Sequence, residues 1–153
     1  MHKRYKQPRV SDPVHILVVE DNLLNQMVAR SILESVGYTV AMVNDGRAAI
    51  SALESRHFDL VLMDCSMPVM DGFSATRSIR ANRSGSIDQN VPIVAFTAFA
   101  LEGDKKKCLQ AGMDDFVSKP VEPSKLIATI ERWLGRCSGR NPSGQCVQVA
   151  QMQ

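Results

Sequence analysis

Glu20-Asp21, Asp64, Thr97 and Lys119 each close a short strand-like run: VHILVV, FDLVLM, VPIVAF and DDFVS. A run of aliphatic residues that delivers a carboxylate to its own tip has an unusual ending. One such aspartate would be a helix cap or a solvated charge. Three carboxylates, a hydroxyl and an ammonium gathered at one place would be a site. Crowded carboxylates repel and raise one another's pKa, and a divalent cation removes that problem. Oxygen-only ligands with positions left for water suit Mg²⁺, which takes one or two carboxylates plus water and phosphate oxygens. A carboxylate beside such a cation can act as a nucleophile toward phosphorus, as in aspartyl-phosphate chemistry. The charge spreading over the phosphoryl oxygens then needs neutralising, for which the metal, the Lys119 ammonium and the Thr97 hydroxyl are available.

The pattern between these residues supplies the elements that must bring them together. Val14–Val19 is β-branched, apolar and short, which predicts a strand. Asn22 can cap the helix that follows. Leu24, Val28, Ile32 and Val36 recur at fours and predict its buried stripe, and Gly37 ends it. Tyr38–Val43 predicts the second strand. Asn44-Asp45-Gly46 opens a helix with Ala49, Ile50 and Leu53 inward. FDLVLM predicts the third strand, and the Met67–Gly72 turn leads to a helix with Phe73, Thr76 and Ile79 on one side. RANRSGSIDQN, at 80–90, is a polar connection without a pattern. Val91–Ala98 predicts the fourth strand, with Pro92 near its start where proline is tolerated. Leu101–Gly112 reads as a helix carrying Lys105-Lys106-Lys107, and Asp114–Lys119 as a short fifth strand. Pro123 suits the first turn of a last helix. Leu126, Ile127, Ile130, Trp133 and Leu134 are its buried side, and Gly135 begins a tail. Strand and helix alternate five times, which predicts an α/β, doubly wound, five-stranded parallel sheet of (βα)5 form, covered on both faces. Right-handed crossovers place every strand C-terminus along one edge, where ligands bind in such sheets.

With 153 residues, 44% hydrophobic and 22% charged, the chain has the size and composition of one globular domain. No apolar run approaches the ~18–20 residues of a membrane span, and no apolar segment follows the basic N-terminus as a secretory signal requires. The net charge of +2 is uneven. Residues 1–9 and 136–153 hold six bases and no acid, leaving 12 bases against 16 acids, a net of −4, in 10–135. The organisation expected is a flexible basic leader over 1–13, one domain over 14–135 and a flexible tail over 136–153. Four cysteines without a Cys-x-x-Cys pair do not predict zinc. Cys65 and Cys108 lie in patterned segments as small core residues, while Cys137 and Cys146 lie in the tail. A reducing, cytoplasmic setting is expected.

Taken together, VVEDN, LMDCSMPVMDG, IVAFTA and GMDDFVSKP resemble the signature segments of the receiver domains of two-component signalling, over about residues 14–134. EDNLLNQMVA, DCSMPVMDGF and AGMDDFVSKP are similar to receivers of hybrid sensor histidine kinases. The resemblance implies a flavodoxin-like strand order 2-1-3-4-5. It implies that Asp64 takes a phosphoryl group from phosphohistidine, with Thr97 and Lys119 holding the phosphoryl oxygens and Ala98 leaving room for them. It implies Mg²⁺ bound by Asp21, Asp64 and the Ser66 backbone carbonyl, and by Glu20 through water. Thr97 and Phe116 would be the switch pair. Leu23, Gln26 and Met27 on the first helix would meet the partner, a histidine kinase core or a histidine-phosphotransfer protein, with no direct contact to nucleic acid or membrane. Ser66 and Phe99 flank the path of an attacking water. Phe99 offers nothing to orient it, so slow self-dephosphorylation is expected.

Rival readings fit less well. A Mg²⁺-dependent aspartyl-nucleophile phosphatase of the haloacid dehalogenase type wants a second aspartate two residues after the first, where this chain has Ser66. A nucleotide-binding module wants a glycine-rich loop after the first strand, where this chain has Glu20-Asp21-Asn22. A docking scaffold without phosphotransfer would not need the complete set of pocket residues. The chain shows no helix-turn-helix, so the expectation is a piece of a hybrid kinase, with a stand-alone receiver or adaptor as the alternative.

Overall fold

Apolar runs of four or five residues alternate with longer amphipathic stretches, and the computed structural model turns them into ten elements. It describes residues 13–65, 67, 69–82, 84–97 and 102–138, with only the backbone at 102–104 and 136–138. The strands are β1 (His15–Val19), β2 (Thr39–Val43), β3 (Leu60–Asp64), β4 (Ile93–Thr97) and β5 (Asp115–Ser118). The helices are α1 (Leu23–Ser35), α2 (Gly46–Ser55), α3 (Gly72–Ala81), α4 (Glu102–Ala111) and α5 (Pro123–Ser138). All strands are parallel, in the order β2-β1-β3-β4-β5, as the resemblance implied.

Successive strand side chains point to opposite faces, and the core divides accordingly. Ile16, Val18, Leu60, Leu62, Val94 and Phe96 meet Ala29 and Leu33 of α1 and Leu126 and Ile130 of α5. Leu17, Val19, Val61, Met63, Ile93 and Ala95 face the other way, against Ala49, Leu53, Ala75, Ile79 and Cys108 of α2, α3 and α4. Each fully buried Leu or Ile contributes on the order of 1.5–3 kcal/mol, so both faces of the central strands must be apolar. Three helices begin just past strand tips with capping side chains. Asn22, Asp45 and Asp71 accept from the backbone N–H of Asn25, Ala48 and Ser74, which satisfies donors that a helix start leaves open.

Two sequence expectations fail here. The buried stripe of α1 is Ala29 and Leu33, with Ile32 half-buried, while Leu24, Val28 and Val36 are exposed. A spacing of four overshoots the helical turn by about 40° per step, so a strict repeat of fours winds off any one face. Ala29, small and fully buried, lets the helix lie close to the sheet. The last helix also continues past Gly135 to Ser138. Glycine weakens a helix by only about 1 kcal/mol, which the buried side of α5 offsets.

The last turn of α3 holds an organising residue. Arg80 donates from Nε to the Gly112 carbonyl, from one terminal nitrogen to the Gln89 and Val91 carbonyls, and from the other to Asp114 Oδ2 at 2.8 Å. Asp114 in turn accepts from the Ile93 N–H at the start of β4. One guanidinium thus joins the end of α3, the α3–β4 connection and the α4–β5 turn. Arg80→Ala should lower the unfolding free energy by about 2–4 kcal/mol, because it leaves a half-buried carboxylate and three carbonyls without their donor. Urea unfolding followed by far-UV circular dichroism checks this; a loss below the range of an exposed ion pair would contradict it.

Candidate functional site

Register decides which side chains meet. Val19 pairs with Met63, Asp64 with Phe96, and Thr97 with Ser118. Glu20, Asp64, Thr97 and Lys119 therefore fall in one row along the C-terminal edge of the sheet. The carboxylates of Glu20, Asp21 and Asp64 each offer an oxygen within 4.8 Å of the others. Glu20 and Asp64 are buried and Asp21 is exposed. Thr97 is buried, and its carbonyl accepts from the Lys119 N–H at 2.7 Å. The Lys119 ammonium lies 3.0 Å from Glu20 Oε2 and 3.3 Å from Asp64 Oδ1, and 4.9 Å from the centre of the Phe96 ring. Ser66, Ala98 and Phe99 lie outside the described residues.

Glu20 is held on every side. Its Oε1 accepts from the Asn22 backbone N–H at 3.2 Å and from Asn25 Nδ2 at 3.1 Å. Its carbonyl accepts from Gln26 Nε2, which also donates to Asn44 Oδ1 at 2.7 Å. The Gln26 amide is thus engaged inside the domain, whereas Leu23 and Met27 are 70% and 61% exposed. The turn after β3 is held as closely. A Cβ placed on Gly72 would stand 2.2 Å from the Asp64 carbonyl oxygen, so the start of α3 rests directly on the phosphoacceptor candidate.

Cys65 follows Asp64 but is no rival nucleophile. Burial, and then the Cys108 thiol with its sulfur 3.9 Å away, push the Cys65 thiol above its ordinary range. A thiol kept protonated is inert. Phe116 is half-buried against the α2–α4 side of the core, and the Lys105 ammonium stands 4.7 Å from its ring centre. Next to it, Asp115 accepts from Trp133 Nε1 at 2.9 Å and from Arg132 at 3.2 Å. A groove of about 570 Å³ runs between β5 and α5 from Lys119 to Arg132.

The residues present fit a divalent cation. Three converging carboxylates face one ammonium, which leaves an excess of negative charge and hard oxygen donors. The sequence located the acids, the threonine and the lysine by their place at strand ends. It missed Asn25, Asp115 and Arg80, whose importance lies in the hydrogen bonds they make. Only Asn25, three residues after a capping asparagine, carried a local signal. Among the described residues no helix is long and apolar enough to cross a membrane.

Residues 16–131 match the model of the response regulator receiver domain. The chain is 40% identical over 136 residues to the sensor protein GacS of Pseudomonas syringae pv. syringae, a match covering 89% of this chain and 15% of that protein. Its fold is similar to the receiver domain of a sensor histidine kinase from Pseudomonas aeruginosa, solved with a magnesium ion coordinated in its active-site cleft. That match has a TM-score of 0.73 and 48% identity, and covers 81% of this chain and 99% of the other. It is similar too to the receiver domain of the response regulator Ssk1 co-crystallised with the histidine phosphotransfer protein Ypd1 from Saccharomyces cerevisiae. There the TM-score is 0.72 and the identity 30%, covering 82% of this chain and 91% of that one. The matches span between 8% and 17% of the length of these curated relatives.

Proposed function

Because the chain belongs to the response regulator receiver domain family, we propose that Asp64 accepts a phosphoryl group from a phosphohistidine, as the receiver of a hybrid histidine kinase in a phosphorelay. The observation that carries this is the Lys119 ammonium bridging Glu20 and Asp64 from a strand 99 residues along the chain from Glu20. That arrangement puts an ammonium beside a buried carboxylate, and a relative solved with Mg²⁺ has a similar fold.

In the step proposed, an Asp64 oxygen forms a bond to phosphorus as the phosphorus–nitrogen bond of the donor breaks. The electron pair of that bond stays on the imidazole nitrogen. Asp21, Asp64 and the Ser66 carbonyl, with Glu20 through water, would hold Mg²⁺, which would supply positive charge against the phosphoryl oxygens. Lys119 leaves Glu20 and follows those oxygens, and the Thr97 hydroxyl donates to another. The acyl phosphate carries roughly −1.5 to −2 on its oxygens where the carboxylate carried a single negative charge, and this draws Thr97 inward. Phe116 then repacks, and the face around β5 changes its affinity for partners. Slow decay of the phosphorylated form is proposed with this, because a phenylalanine at position 99 has no polar group with which to orient water.

The partner surface proposed is the exposed apolar face of α1, Leu23 and Met27 joined by Leu24 and Val28. It lies one turn from Asp21, and the relative bound to a histidine phosphotransfer protein supports such an encounter. Incubation with a histidine-phosphotransfer protein carrying ³²P on its histidine, with Mg²⁺, should move the label to this chain. Leu23→Ala combined with Met27→Ala should slow that transfer at least tenfold, as loss of apolar anchors worth about 1.4 kcal/mol or more would. Its phosphorylation by acetyl phosphate should be unchanged. Equal slowing with both donors would show that the helix face is not a docking surface.

A further inference from the structure

Resting on the phosphoacceptor reading above, we propose that Asn25 and Gln26 are positioning residues of the acidic site, an amide clamp that keeps Glu20 oriented for a small divalent cation both before and after Lys119 leaves it. Glu20 is 1% exposed. Its Oε2 is occupied by Lys119, at 3.0 Å. Once Lys119 turns to a phosphoryl group, the donors left to Glu20 among the described residues are those on Oε1, the Asn22 N–H and Asn25 Nδ2. Gln26 holds the backbone of the same residue and ties it to Asn44 at the end of β2. Both clamps are neutral amides. They fix the carboxylate without cancelling the charge that attracts a cation, which an arginine or lysine in their place would do. They also lie on the two turns of α1 that present Leu23 and Met27, so the surface offered to a partner and the orientation of Glu20 share one rigid element.

The test is calorimetric titration of the unphosphorylated protein with Mg²⁺ and, separately, with Ca²⁺, on wild type, Asn25→Ala and Gln26→Ala. Mg²⁺ demands near-ideal octahedral geometry, whereas Ca²⁺ accepts irregular sites. Loss of a group that orients a metal-site carboxylate lowers affinity about tenfold. Each variant should therefore bind Mg²⁺ about tenfold more weakly while Ca²⁺ affinity stays within about threefold, so the ratio of the two constants moves. Unchanged Mg²⁺ affinity, or equal loss for both ions, overturns the proposal and leaves the phosphoacceptor reading standing. A wild-type protein that binds neither ion would remove that reading, and the clamp with it.

Discussion

Lys119→Met should unfold at a lower urea concentration than wild type in metal-free buffer, by about 3–5 kcal/mol of stability, and recover part of that loss when Mg²⁺ is added. The ammonium touches two buried carboxylates, Glu20 at 3.0 Å and Asp64 at 3.3 Å, with Asp21 close by. Taking it away leaves like charges facing one another in a poorly solvated place, which costs far more than losing an exposed ion pair. A cation that binds the folded form alone restores stability by mass action, and it should do so more for the variant than for wild type. Phosphorylation by acetyl phosphate should slow about 10²–10³-fold, the scale seen when one preorganised donor to a developing charge is removed. Urea midpoints equal to wild type with and without Mg²⁺ would show that Lys119 does not balance the acidic cluster.

Gly72→Ala should be the most damaging small substitution in the domain. The added methyl would sit 2.2 Å from the Asp64 carbonyl oxygen, 3.0 Å from its carbonyl carbon and 3.0 Å from Met63 Cγ. Backbone cannot yield as a flexible side chain does, so α3 must move away from the tip of β3. Overpacking of this kind costs typically 1–3 kcal/mol and here about 3 or more, because the obstacle is main chain. Displacing Asp64 should also slow phosphorylation by at least tenfold, since small misplacements of a reacting group are costly. Thermal unfolding and the acetyl phosphate rate, measured on the same sample, check both effects. A stable variant with unaltered rate would mean that the contact between α3 and Asp64 is not needed.

The pocket was legible in the sequence because its residues obey a topological rule. Each of Glu20, Asp21, Asp64, Thr97 and Lys119 ends or follows a strand, and parallel strands with right-handed crossovers put those ends on one edge. Strand order itself was not legible from periodicity. It came with the resemblance, and the pairing of all five strands in the order β2-β1-β3-β4-β5 bears it out. The face of α1 was misjudged because Leu24, Val28, Ile32 and Val36 form an apolar series that looks like a core stripe. Small Ala29 in fact makes the close contact, while Leu24 and Val28 point outward. Apolarity alone does not tell a core face from a docking face. Arg80 was illegible for another reason. Three of its four acceptors are backbone carbonyls, which every residue possesses, so no pattern of residue types can announce them. Gln26 shows the same limit, since its amide acts on the main chain of Glu20 and on Asn44.

Asp64 is proposed as the phosphoryl acceptor of a Mg²⁺-assisted transfer. Intact mass spectrometry after incubation with acetyl phosphate tests it most directly, run with Mg²⁺, with chelator, and on Asp64→Asn. Wild type with Mg²⁺ should gain a single phosphoryl group, and the other two samples none. A gain that persists in Asp64→Asn, or a wild-type chain that takes up no phosphoryl group with Mg²⁺ present, would contradict it.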